Sequence, residues 1–426
     1  MIKRVHFLGI AGSGASAAAA IAKAQGFEVT GCDTNPVNEF TTDFEKGSIK
    51  GGHSKTHLEN VDILAITPAV LSLDPNNEEL VVAKEKGVEV LTWQQFLGKY
   101  LIQDKTVIAV CGTHGKSTTT AMIGKLLTNA GLDPTVELGA LLPYSGRNYR
   151  VGNGKYFVVE ADEFNDNFLS IKPNITVVTT IEMDHPEYFK NFQDLKNSYE
   201  NFLLQTKDTI VANISDVSIA EILKTLMKES GVKCIDYSKN ELNLNLKVPG
   251  SFNQLNASAA FQVGLLLGID PKIIKDSLEG FTGIGRRFEH LGQFKEAAVY
   301  SDFGHHPTEI KVTMEAAREK FPDKEIWLIF EPHMFSRTKA LFDDFVRVFK
   351  KLPVDKIVIT DIYPSREVDT GLIKSQHLVD STKKENVIYA SGEELKEILF
   401  KEINDGDVVF FMGAGNIDTL ARKLVS

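Results

Sequence analysis

The sequence predicts an α/β fold of parallel sheets, divided among two to four domains. Short apolar runs alternate with helical patterns along the whole chain, as repeated strand–helix–strand units require. A strand followed by a glycine loop recurs three times, and 426 residues exceed what one core serves at roughly 150 residues per domain. The strand-like runs are Val5 to Ile10, Ile63 to Thr67, Val107 to Val110, Tyr156 to Val159, Ile175 to Thr179, Ala297 to Asp302, Ile326 to Phe330, Ile357 to Thr360 and Val408 to Met412. One boundary falls near Leu101 to Asp104, just before the third of these runs. The other falls near Gly283 to Arg287, after an Ala-rich helix from Asn256 to Leu267 and a helix opened by Pro271.

Composition bounds the function. Hydrophobic residues are 43% and charged residues 24% of the chain, the balance of a globular protein with substantial cores. No apolar run approaches the roughly 20 residues of a membrane span, and Met1-Ile-Lys-Arg-Val-His6 leads straight into a strand pattern rather than a cleavable leader. The expectation is a cytoplasmic protein with no membrane partner. A net charge of −10 argues against nucleic acid, so anionic ligands must meet local positive sites. Cys32, Cys111 and Cys234 form no C-x-x-C pattern and read as buried small hydrophobes.

Taken in chain order, the first informative element is Val5-His-Phe-Leu-Gly-Ile-Ala-Gly-Ser-Gly14, a strand turning through glycines into an Ala-rich helix. Such a turn suits a diphosphate, and Asp33 follows a second strand, Glu28 to Gly31, as a ribose-binding acid does. The spacing is not G-x-G-x-x-G, so a tight turn without a ligand stays open as an alternative. Gly51-Gly-His-Ser54 and Thr67-Pro-Ala69 end later elements and are placed to line the same crevice.

The second element is Val107-Ile-Ala-Val-Cys-Gly-Thr-His-Gly-Lys-Ser-Thr-Thr-Thr120. Gly112 and Gly115 let the backbone approach a phosphate, the following helix offers unpaired N–H groups, Lys116 adds charge, and Ser117 or Thr118 offers a hydroxyl to Mg²⁺. Val110 stands where G-x-x-x-x-G-K-[ST] has its first glycine, so the loop is a shortened variant. Beyond it, Val158-Val-Glu-Ala-Asp-Glu163 and Thr179-Thr-Ile-Glu-Met-Asp-His185 end two strands in carboxylates and a histidine. Hard oxygen ligands there suit Mg²⁺, a solvated acidic loop being the alternative. Asn253 and Asn256 open a helix, where a plain N-cap is the commonest role.

The loop Gly112-Thr-His-Gly-Lys-Ser117, the stretch Glu160-Ala-Asp-Glu163, Asp184-His185, Asn253-x-x-Asn256 and Gly285-Arg-Arg-Phe288 resemble, in order and over nearly the whole chain, the Mur ligases of bacterial cell-wall synthesis. Ser301-Asp-Phe-Gly-His-His-Pro-Thr-Glu-Ile310 and Pro332-His-Met-Phe-Ser-Arg-Thr338 most resemble the branch that couples L-alanine to UDP-N-acetylmuramate. The resemblance implies a Rossmann-like UDP-sugar domain over 1–102, a central phosphate-loop ATP domain over 103–285, and a Rossmann-like amino-acid domain over 286–426. It implies that Gly12, Ser13, Gly14, Asp33, His53, Thr67 and Pro68 hold the UDP sugar. Gly112, Thr113, His114, Gly115, Lys116, Ser117 and Thr118 would hold ATP phosphates, with Asn253 at the adenine, Asn256 nearby and Arg286 approaching the phosphates. Ser117, Glu160 and His185 would hold Mg²⁺. His305, His306, His333 and Arg337 would face the muramoyl group and the amino acid, with His306 taking a proton and Arg337 clamping the carboxylate. A monomer or homodimer is expected.

Two departures bear on the acceptor. Met334 stands where the alanine-adding branch usually carries arginine, and Phe330-Glu-Pro332 resembles the related ligase that attaches a recycled tripeptide. The segment from Lys207 to Pro249 is also shorter than the family's usual stretch. Amide formation from a carboxylate needs activation, which implies phosphoryl transfer from ATP to give an acyl phosphate, with Lys116 and Arg286 neutralising charge, followed by attack of the neutral amine. Competing readings are another small amino acid or a tripeptide as acceptor, a UDP-sugar-binding ATPase switch, and a nicotinamide dehydrogenase. The last rests on the first glycine turn alone.

Overall fold

The computed structural model describes residues 2–45, 47–229, 231–239 and 242–426. Among them the strands form three sheets with helices on both faces, so the predicted three-domain α/β architecture is present. The first sheet contains β1 (Arg4–Leu8), β2 (Glu28–Asp33), β3 (Ile49–Gly51), β4 (Ile63–Ile66) and β5 (Glu89–Thr92), ordered β3-β2-β1-β4-β5 and parallel throughout. The order reverses between β1 and β4, which opens a crevice at their carboxyl ends.

The second sheet contains β6 (Thr106–Cys111), β7 (Thr135–Leu142), β8 (Arg147–Arg150), β9 (Tyr156–Glu160), β10 (Ile175–Val178), β11 (Thr209–Ala212) and β12 (Lys233–Asp236). Its order is β12-β11-β10-β6-β9-β7-β8, with only the β7–β8 hairpin antiparallel among the described residues. The strand β6 lies between β9 and β10, so the loop after it is flanked by the ends of both neighbours. The segment from Lys207 onward supplies a strand, the helix Val217–Glu229 and the edge strand β12.

The third sheet contains β13 (Glu289–Phe294), β14 (Ala297–Asp302), β15 (Ile326–Phe330), β16 (Lys356–Ile359), β17 (Val387–Tyr389) and β18 (Val408–Met412) in the order β13-β14-β18-β15-β16-β17. The strand β13 is antiparallel and the rest are parallel. Leu328, Phe330 and Phe410 point into one core and Trp327, Ile329 and Phe411 into the other. That alternation follows from the strand period of two.

The chain forms two compact units. One holds the first two sheets (Met1–Glu182, Phe192–Asn245 and Leu255–Phe281); the other holds the third sheet with Met183–Asn191 and Leu246–Gln254. Within the first unit, helix Ser13–Ala24 is rich in alanine, which favours helix and lets the backbone sit close to the sheet. Gly26 at φ 92° ends it, and the Phe27 N–H returns to Ala22 at 3.1 Å. The β7–β8 hairpin holds this helix, with Asn148 donating to the Ser13 carbonyl and to Ser16 Oγ at 3.2 Å. A Cβ on Gly98 would lie 2.0 Å from the Ser170 carbonyl oxygen, another close approach between the two sheets' surroundings.

Trp327 is fully buried, and its indole N–H has no hydrogen-bond partner among the described residues. Trp327→Ala is expected to destabilise the protein by about 3–5 kcal/mol in urea unfolding. Trp327→Phe should cost much less, because the ring volume mostly stays while the unpaired donor goes; equal losses would contradict this account of the core.

Candidate active site

The phosphate loop is built from glycines that no other residue replaces. Gly112 has φ 133° and a Cβ there would lie 2.0 Å from Thr179 Oγ1; Gly115 has φ 82° and its Cβ would lie 2.5 Å from Asn256 Oδ1. Asn256 therefore acts as a wall of the loop rather than as an N-cap, since its helix, Ser251–Leu266, starts five residues earlier. The Thr113 N–H donates to the Thr180 carbonyl at 2.7 Å and His114 N–H to Thr180 Oγ1 at 3.2 Å, which ties the loop to the end of β10. The His114 ring pairs with Glu182. Helix Lys116–Asn129 then begins, its first N–H groups unpaired by the helix ladder and ready for an anion.

Lys116 Nζ donates to the Gly112 carbonyl at 2.8 Å and to Glu163 Oε2 at 2.9 Å, with Asp162 at 3.7 Å. Burial opposes its charge, but Glu163, Asp162 and Glu160 more than offset this and hold it above the ordinary lysine range. Ser117 Oγ donates to Glu160 Oε1 at 2.9 Å, and the Gly139 N–H donates to Glu160 Oε2 at 2.8 Å. A hydroxyl and a carboxylate side by side at the lip of the loop form a hard-oxygen pair that fits Mg²⁺. Thr118 is half-buried one residue on.

The residues expected around the UDP sugar collect at the carboxyl edge of the first sheet. Gly12, Ser13 and Gly14 follow β1, Asp33 ends β2, His53 follows β3, and Thr67 and Pro68 follow β4. Asp33 Oδ2 accepts the Ala11 N–H at 3.1 Å, so it braces the turn. Gly9, at φ 84°, packs against Thr67, and Gly14 against the Trp93 ring, which a Cβ at either position would strike.

In the second unit, Arg337 is buried at 2% exposure, and its Nε donates to Asp184 Oδ1 at 2.9 Å. Its Nη1 lies 3.0 Å from His333 Nδ1 and its Nη2 lies 3.5 Å from His185 Nδ1. Burial works to raise the Asp184 carboxyl, but His185 and Arg337 hold it well below the usual range. The expected carboxylate clamp thus already grips a carboxylate of its own chain, because a buried guanidinium needs its fork filled. Burial first, and then Arg337, lowers His305 to about 3; burial, His305 and Arg337 lower His333 to about 2. Both rings are neutral at pH 7.

His306 does not match its expected role as proton acceptor. It caps helix Pro307–Lys320: its Nδ1 accepts the Thr308 N–H at 3.3 Å and its Nε2 lies 3.2 Å from the Met183 carbonyl oxygen, so both nitrogens are committed. The His305 ring instead uses Nδ1 on the Phe303 carbonyl at 3.1 Å, which leaves Nε2 as the basic atom of a neutral ring. Arg286 stacks on Phe303 and donates to the Gly413 carbonyl at 2.7 Å, so its guanidinium rests on the end of β18. His185, at φ 53°, lies beside Asp184 and Glu187 in this unit. Asn253 donates to the Pro249 carbonyl at 2.6 Å.

Three family models match in chain order: the Mur ligase family catalytic domain over 4–105, the Mur ligase middle domain over 110–245, and the Mur ligase glutamate ligase domain over 286–415. The UDP-N-acetylmuramate–L-alanine ligase of Acetivibrio thermocellus is 38% identical, over 97% of this chain and 94% of its own length. That of Clostridium acetobutylicum is 35% identical, over 100% of this chain and 98% of its own length. The chain belongs to the Mur ligase family. Among solved structures, this Mur ligase is similar to the UDP-N-acetylmuramate–alanine ligase of Thermotoga maritima, with a TM-score of 0.78 and 27% identity over 99% of this chain and 98% of that one. It shares its fold with a murein peptide ligase from Psychrobacter arcticus, with a TM-score of 0.70 and 21% identity over 99% and 98% of the two chains.

Two groups of this Mur ligase, Arg366 and Glu137, escaped the sequence reading. Arg366 pairs with Glu187, and its charge bears on His333, the residue before Met334. Met334 itself is buried at φ 71°, its N–H donating to the Tyr363 carbonyl at 2.8 Å. Glu137 on β7 is buried, and burial together with the Glu160 charge raises its carboxyl well above the usual range. No sequence spacing links these residues to their partners.

Arg337→Met leaves the buried Asp184 without its guanidinium partner, with His185 still beside it, and should cost about 3–5 kcal/mol in chemical unfolding. Adding Asp184→Asn should recover more than half. The lowered histidines give a pH prediction whose sign follows from their neutral folded state: stability is full above the ordinary histidine range near about 6.5 and declines as pH falls toward the folded values. Unfolding midpoints of the wild-type chain should therefore fall between about pH 6.5 and 3, and His305→Gln should flatten that slope; an unchanged slope would remove His305 from the account.

Proposed function

We propose that this protein is an ATP-dependent ligase that joins L-alanine to the carboxylate of UDP-N-acetylmuramate in peptidoglycan synthesis. The observation that carries this is a complete phosphate loop, with Lys116 and Ser117 set beside Glu163 and Glu160, in a chain 35–38% identical along its length to ligases of that name. The proposed domain limits are 1–102 for the UDP sugar, 103–285 for ATP and 286–426 for the amino acid.

In this reading the helix N-terminus and Lys116 orient the β- and γ-phosphates, and Lys116 and Arg286 neutralise charge as the muramoyl carboxylate attacks the γ-phosphorus. ADP leaves and an acyl phosphate remains. Ser117 and Glu160, with His185 as the further expected ligand, would hold Mg²⁺, which supplies charge neutralisation when bound. The neutral amine of L-alanine then attacks the acyl carbon, expels phosphate and gives up its proton to that phosphate, since burial and Arg337 hold His305 at about 3, too low for a base at neutral pH, and the His306 ring is committed to its helix cap. Arg337 positions Asp184 and His333, and Arg366 serves the amino-acid carboxylate that an arginine at 334 would otherwise meet. Among the described residues no helix is long and apolar enough to cross a membrane. The cytoplasm is the proposed compartment, and a monomer or homodimer the proposed assembly.

The test is phosphate release with ATP, Mg²⁺ and UDP-N-acetylmuramate, supplying L-alanine, glycine, L-serine or the tripeptide one at a time and resolving the ligated product by mass. L-alanine should give one product per phosphate, whereas release without any amine and without product would refute ligation. Lys116→Ala should lose about 10²-fold or more in turnover while retaining UDP-sugar binding.

A further inference from the structure

Under the first glycine turn lies a cluster to which the proposed reaction gives no part. His6 on β1, Cys32 on β2, His57 on the turn Lys55–Leu58 and Glu79 at the start of helix Glu78–Lys86 bring four potential ligand atoms within 4.8 Å of one another. Glu79 and Cys32 are fully buried, and His6 is 1% exposed. His6 Nε2 is 3.2 Å from Glu79 Oε2, Cys32 Sγ is 3.2 Å from Glu79 Oε1, and His57 Nδ1 is 3.0 Å from Glu79 Oε1. We propose that these four side chains form a tetrahedral zinc site in the amino-terminal domain, separate from the Mg²⁺ of the phosphate loop.

Three physical arguments converge on that assignment. Zinc bonds of about 2.0–2.3 Å give tetrahedral edges of roughly 3.3–3.7 Å; the three spacings to Glu79 match within a few tenths of an ångström, and the others, all within 4.8 Å, need a contraction of at most about 1 Å. The charges balance, since one thiolate and one carboxylate neutralise a divalent ion and two neutral imidazoles complete the set, which makes full burial tolerable. The ligand chemistry, with sulfur and imidazole, selects zinc over Mg²⁺.

Supporting hydrogen bonds already orient the ligands. Thr30 Oγ1 lies 2.8 Å from His6 Nδ1 and turns Nε2 toward Glu79, and the Ser54 N–H donates to Glu79 Oε1 at 3.0 Å. Burial and the Glu79 charge hold the Cys32 thiol protonated, so zinc binding releases that proton to solvent as the S–Zn bond forms. The Cys32 carbonyl accepts the Gly9 and Ile10 N–H groups at 2.9 and 3.2 Å, so a metal on Cys32 would anchor the glycine turn through its own backbone.

The full-length protein, stripped with chelator and dialysed, is titrated with Co²⁺ and then with Zn²⁺. One equivalent of Co²⁺ should release a proton and give a thiolate-to-cobalt charge-transfer band, which one equivalent of Zn²⁺ then abolishes with no further proton release. Ser117→Ala, at the ATP loop, should leave the band intact. Cys32→Ser should lose it, and His57→Ala, at a partly exposed ligand, should bind about tenfold or more weakly. Absence of the band, its persistence in Cys32→Ser, or unchanged affinity in a folded His57→Ala protein would overturn the site. The ligase reading does not depend on the result, because turnover is assayed separately.

Discussion

A parallel strand covered by helices on both faces shields its side chains from water, so ligand-facing chemistry gathers in the loop beyond its carboxyl end. All three sheets obey this constraint. The runs Ile108–Val110, Val177–Val178 and Val408–Met412 are buried from end to end, and the glycines, carboxylates and histidines follow at once. Because β6 sits between β9 and β10, the phosphate loop inherits Glu160 from one neighbour and Thr179 and Thr180 from the other. Those threonines hold its backbone, leaving the following helix terminus to carry the electrostatics.

In the carboxyl-terminal unit, one buried cation organises several neutral or anionic groups. Arg337 holds Asp184 ionised and helps keep His305 and His333 unprotonated. Rings held this low are neutral hydrogen-bonding groups at neutral pH rather than bases. The guanidinium's own fork is spent on Asp184 and His333. His306 illustrates the opposite outcome: a helix start claims its ring before any substrate can.

Sequence reading succeeded where function is written in local order. Glycines, lysine and hydroxyls occur within a few residues of one another after β6, and the strands Ala297–Asp302, Ile326–Phe330 and Val408–Met412 coincide with their apolar runs. It failed where a strand is short or polar, as for Ile49–Gly51 and Lys233–Asp236, since three or four residues carry little periodicity. It also failed wherever partners are distant in sequence. Cys32 read as a small hydrophobe, yet it hydrogen-bonds Glu79, 47 residues away, and Cys234 is only partly buried. Arg337 and Asp184 are 153 residues apart, and nothing in either segment announces the other. Competition between a capping role and a catalytic role for adjacent His305 and His306 is decided by which residue precedes the helix, a one-residue distinction that a pattern does not resolve.

The hairpin β7–β8 reaches from the second sheet to the helix of the first, with Asn148 on Ser16, Tyr149 on Asp43 at 3.2 Å and Arg147 on Asp43 at 2.6 Å. These bonds make the amino-terminal fold a poor cassette. A chimera that replaces residues 1–102 would exchange one side of this seam and leave the other, putting at risk the buried Asn148–Ser16 pair and the exposed pairs to Asp43. A transplant that carries residues 135–150 along with the first sheet keeps the seam whole, so the unit of exchange is set by the hairpin and not by the linker.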